Sequence, residues 1–67
     1  MKMRYNEPAI PVGTKIELIS MPDDPDPIPS GTRGVVVGGS AEQLWVEWEI
    51  RRSLNLLVGV DDFRIVS

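Results

Sequence analysis

Three aspartates, Asp23, Asp24 and Asp26, crowd one proline-rich stretch of the chain, and hard cations such as calcium take oxygen ligands from runs of this kind. The spacing does not fit an EF-hand loop, and prolines at 22, 25 and 27 limit any wrap around an ion. A solvated acidic loop is expected, with no metal bound. Glu47 and Glu49 share one face of a strand-like stretch at roughly 7 Å, and paired carboxylates can act as acid and base on a glycoside. An exposed strand supplies no pocket to split their pKa values, and so short a chain builds no substrate cleft unless an oligomer adds the second wall. Gly31-Thr32-Arg33-Gly34 invites comparison with phosphate-cradling loops, but the Lys-Ser/Thr end and the following helix of a P-loop are absent. Backbone needs at a strand entry explain those glycines better.

The chain contains neither cysteine nor histidine, which removes disulfide staples, thiol nucleophiles, tetrahedral zinc and the commonest general base. No catalytic residue and no cofactor is expected, and the protein reads as non-enzymatic. Recognition is what remains. Trp45 with Arg33, Arg51 and Arg52 brings together the residue types that dominate interface hot spots. With Asp23 and Asp24 from the proline-rich loop, these are the expected partner-binding residues. Two readings of Trp45 stay open: an exposed interaction surface, or a ring packed under the N-terminal segment against Tyr5 or Ile10. Arg51 and Arg52 can equally be a solvated turn.

These residues are positioned by strands. Residues 1–12 contain Pro8 and Pro11 with no periodicity, and read as an extended arm that Tyr5, Ile10 and Val12 can anchor. Thr14–Ser20 alternates with Ile16 and Leu18 inward. The stretch from Met21 to Pro29 holds four prolines and can only be a stiff loop. Arg33–Gly38 follows, with Gly34, Val36 and Gly38 on one face and Arg33, Val35 and Val37 on the other. The turn Gly38–Gln43 delivers Leu44–Glu49, whose inward set is Leu44, Val46 and Trp48, leaving Trp45 outside. Ser53–Leu57 points Leu54 and Leu56 inward, Val58–Asp62 suits one turn of tight helix capped by Asp61 or Asp62, and Phe63–Val66 puts Phe63 and Ile65 together. Five short strands punctuated by Gly and Pro give an all-β barrel, closed so that no sheet edge is left exposed.

At 67 residues the chain is one domain near the lower size limit for an unaided core, so good packing or self-association must support it. Its composition, 42% hydrophobic and 25% charged, is that of a soluble protein; no apolar run approaches the roughly 20 residues of a membrane span. No signal peptide is read at the N-terminus, so a cytoplasmic location is expected. Seven basic against ten acidic residues give a net charge of −3, a balance that disfavours nucleic acid held by phosphate neutralisation.

A long excursion after strand one, three tighter connections and a helical turn before the last strand resemble the layout of an SH3-like barrel over residues 13–67. More closely, the chain resembles a small family of unknown function from bacterial phages, prophages and actinobacteria. The resemblance is carried by Gly13-Thr-Lys-Ile-Glu-Leu18, Met21-Pro-Asp-Asp-Pro25, Pro29-Ser-Gly-Thr-Arg-Gly-Val-Val36, Leu44-Trp-Val-Glu-Trp48, Ser53-Leu-Asn-Leu56 and Gly59-Val-Asp61. It departs at Glu49-Ile-Arg-Arg52, where the family shows an Asp-Asn-Gly turn. The resemblance implies a phage setting in a bacterial host cytoplasm and no established activity. The expected function is a small interaction module that binds a protein partner or itself. The alternatives are a nucleic-acid module similar to KOW-type barrels, with the arginines on phosphates and Trp45 stacking a base, or an acidic mimic that occupies a host protein.

Overall fold

A computed structural model describes residues 10–66. Five antiparallel strands, β1 (Lys15–Ser20), β2 (Arg33–Gly39), β3 (Gln43–Trp48), β4 (Leu56–Leu57) and β5 (Asp62–Ile65), form one sheet in the order β4-β3-β2-β1-β5. The alternation in the sequence decides the faces. Ile16, Leu18, Val36, Leu44, Val46, Trp48 and Leu56 point to one side and form the core, while Lys15, Glu17, Arg33, Trp45 and Glu47 lie on the other or at its border.

The hydrogen-bonded ladder does not close into the barrel expected from the sequence; β4 and β5 are its outer strands. The sheet is nonetheless strongly curled. Laid flat, five strands would separate the outer pair by about 19 Å. Yet Leu57 of β4 and Asp62 of β5 are joined through a tight turn in which the Asp61 N–H donates to the Leu57 carbonyl at 2.9 Å. Register shifts between Leu18 and Ser20 in β1 and between Val36 and Gly38 in β2 supply part of the bend.

The second of these bulges overturns one reading of the sequence. Gly38 does not continue the face of Gly34 and Val36; it stands opposite Trp45 on the outer side. A side chain there would meet the indole, since a Cβ on Gly38 would come 2.8 Å from Trp45 Cε3. Gly34 answers a different need on the core side, where a Cβ would lie 2.6 Å from Val46 Cγ1. Gly31, at φ +89°, takes a left-handed conformation at the strand entry.

Two other expectations are corrected. The fourth strand is Leu56–Leu57, not Ser53–Leu57: the Leu54 carbonyl accepts the Trp48 indole Nε1–H at 2.9 Å, and Leu54 packs half-buried against the core outside the ladder. The segment after it is a turn and not a helix, because Gly59 sits at φ +89°, outside the right-handed helical region. Asp61 holds that turn; its buried carboxylate accepts the Leu57 N–H at 2.9 Å. Ile65 shares a side with Phe63 but is 56% exposed, because β5 is an edge strand.

The proline-rich connection between β1 and β2 is pinned at both ends. Met21 and Ile28 are buried in the core, and Pro22, Asp23, Pro25, Asp26 and Pro27 between them are exposed. Ile10 packs against the core as an anchor, whereas Val12 is exposed. Tyr5 and the rest of the expected arm before Ile10 lie outside the described residues. Among the described residues no helix is long and apolar enough to cross a membrane.

Candidate functional site

Trp45 is half exposed, at 51%. Its position follows from β3, where alternation sends Leu44 and Val46 inward and Trp45 outward, and from Gly38, whose missing side chain leaves the space the ring occupies. Trp48 is the buried counterpart on the same strand, with its one polar atom bonded to Leu54.

Beside Trp45 lies an open groove of about 560 Å³. Val37, Trp45 and Glu47 border it from the sheet, and Ile50, Arg51 and Arg52 from the segment that leaves β3. The groove exists because β4 is short. The β3–β4 ladder stops at Gln43↔Leu57 and Leu44↔Leu56, so the chain between Glu49 and Asn55 swings wide of the β3 edge. The Arg52 N–H to Ile50 carbonyl bond at 2.8 Å tightens this wide loop.

The arginines divide sharply in what they do. Arg52 is tied to the proline-rich loop, donating to the Asp26 carbonyl at 2.7 Å and lying 3.4 Å from its carboxylate. Arg33 is not among the residues that line the groove: its Nε is 3.1 Å from Glu17 Oε1, the same oxygen that Arg64 reaches at 3.2 Å. Arg51 is exposed and has no ion pair among the described residues. The structure therefore gathers Trp45, Arg51 and Arg52 at one groove and leaves Arg33 out.

Glu17 is the residue that the sequence does not single out. It stands at the centre of β1's outer face, with Arg33 opposite on β2 and Arg64 opposite on β5. The hydrogen bonds from Arg64 and Arg33 hold its carboxyl below the ordinary glutamate range. No local signal marks this triad, because its members are 16 and 47 positions apart and only the strand register joins them.

In the acidic loop Asp24 is spoken for, its carboxylate accepting the Asp26 N–H at 2.9 Å, and Asp26 pairs with Arg52. Asp23 is exposed and has no such partner among the described residues. Among the described residues no cluster of three or more Asp, Glu, His or Cys side chains is arranged to hold a metal ion. Glu47 and Glu49 are both exposed, Glu47 at the groove and Glu49 just beyond β3.

No curated protein and no solved structure matches the chain. A family match covers residues 2–66, with the description Domain of unknown function (DUF4314). The match spans nearly the whole chain, including every motif through which the sequence resembles a family of unknown function, and the chain therefore belongs to the DUF4314 family.

Proposed function

We propose that this chain is a non-enzymatic protein-interaction module that takes its partner in the groove beside Trp45. The observation that carries the reading is the half-exposed indole on the same groove as Arg51, which has no ion pair among the described residues. A large apolar ring and an uncommitted guanidinium on one concave surface are the anchors that protein interfaces use. The sheet order β4-β3-β2-β1-β5 and the tight link between the outer strands support an open variant of an SH3-like barrel. The motif resemblance supports a phage or prophage setting within a bacterial cytoplasm. Glu47 in the groove and a net charge of −3 weigh against a polyanion there, so nucleic acid is the weaker reading.

The test is comparative capture. The wild-type chain and Trp45→Ala, each shown to be folded by circular dichroism, are immobilised and exposed to bacterial lysate with and without nuclease. The proposal expects a nuclease-resistant protein partner retained by the wild type and lost with Trp45→Ala. Identical capture by both would refute it, and retention of nucleic acid alone would favour the alternative.

A further inference from the structure

We infer that the occupant of the groove is the acidic proline-rich loop of a second copy of this chain, docked reciprocally across a two-fold axis. The inference rests on the reading of the Trp45 face as a protein-binding surface and names the ligand.

Complementarity of leftovers is the first ground. Of the described arginines, Arg33, Arg52 and Arg64 are paired within the chain, and Arg51 has no ion pair among the described residues. Of the three loop aspartates, Asp24 serves the Asp26 N–H and Asp26 serves Arg52, while Asp23 has no partner among the described residues. One copy thus presents, among the described residues, one unpaired cation at a groove that Glu47 also borders and one unpaired aspartate on a ridge; a single aspartate, unlike a polyanion, needs only Arg51 opposite it.

Shape and order are the second. Met21 and Ile28 bury both feet of the loop, the Asp24 N–H to Met21 carbonyl bond at 3.3 Å folds its first turn, and the Asp24 carboxylate bonded to the Asp26 N–H stiffens it further. The ridge between is proline-rich and exposed. Proline rings pack against an indole face with little rotamer freedom to lose, and a ridge already ordered costs little further entropy to dock.

Adjacency is the third. The Arg52–Asp26 pair ties the loop to the groove's own rim, so ridge and groove are neighbours on one surface. A two-fold axis near that rim lets each copy give its ridge and receive the other's, which is the closed, self-complementary arrangement of most homodimers.

The test is light scattering after size-exclusion chromatography across a concentration series, on the full chain and on Arg51→Glu, Asp23→Arg and their equimolar mixture. The wild type should approach twice the 7.5 kDa chain mass as concentration rises. Each single reversal should weaken association about tenfold or more. The mixture should restore it, because in a mixed pair the charge-reversed groove of one copy meets the charge-reversed ridge of the other, and the two unaltered sites, Arg51 and Asp23, meet each other. A wild type that stays monomeric throughout, a dimer indifferent to both reversals, or a mixture that fails to recover would each overturn the inference. Capture of a partner that depends on Trp45, together with any of those results, leaves the groove's function standing and removes only the self-docking. Loss of both removes both.

Discussion

The indole Nε1–H of Trp48 donates to the Leu54 carbonyl at 2.9 Å, and this one bond links the core to the groove. Continued ladder pairing in the register of Leu44↔Leu56 would set Leu54 opposite Val46. With its carbonyl given to a side chain instead, Leu54 stands outside the strand, β4 is confined to Leu56–Leu57, and the connecting segment opens the groove that Trp45 borders.

Trp48→Phe keeps an aromatic ring in the core and removes the donor. A carbonyl left without its partner in a partly buried site costs about 1–3 kcal/mol, so the urea midpoint should fall with the slope unchanged. Amide exchange should quicken at residues 52–55 ahead of the rest of the sheet. Because Trp45 is then the sole tryptophan, its emission in a monomeric sample should be that of a half-solvated indole.

Ile28→Ala tests whether the proline-rich loop is held from its base. Ile28 is 2% exposed, and truncating a buried isoleucine costs about 2–5 kcal/mol. Thermal denaturation should show a large loss of stability despite the residue's place between two prolines in a loop. A change within a few tenths of a kcal/mol would mean the loop is not pinned.

The Glu17 carboxyl is held below the ordinary range by Arg64 first and Arg33 second. A depressed folded-state pKa gives stability that is present above the unfolded glutamate pKa and is lost as pH falls through the folded value. Glu17→Gln should therefore be less stable than the wild type at pH 7, with the gap closing as the acid limb is descended and narrowing in high salt. Urea midpoints of both proteins from pH 7 to pH 2 provide the check; a gap that does not change with pH would contradict the triad.

Much of the core is legible in the sequence because alternation is a local signal. Period two assigns Ile16, Leu18, Val36, Leu44, Val46, Trp48 and Leu56 inward, and all are buried; the same rule sends Trp45 outward. What fails depends on long-range or backbone detail. Met21 and Ile28 flank prolines and carry no period. Gly38 changes face through a bulge that only the pairing with β3 reveals. The helical turn expected at Val58–Asp62 is excluded by the left-handed Gly59, a residue that also occurs in helix-ending turns and so leaves the sequence ambiguous. Of the expected partner-binding residues, Trp45, Arg51 and Arg52 converge, Asp23 and Asp24 sit on the neighbouring ridge, and Arg33 belongs to the Glu17 triad, which no spacing in the chain announces.

The central claim is that the groove at Trp45 seats the proline-rich loop of a second copy, and the two indole N–H signals of this chain report on it directly. In proton–nitrogen correlation spectra recorded from dilute to millimolar protein, the Trp45 indole signal and the Arg51 and Asp23 amides should move together with concentration. The Trp48 indole, bonded to Leu54, should stay in place. A Trp45 signal that does not move while the oligomer forms, or shifts confined to the β5 edge, would contradict the account and send the interface elsewhere.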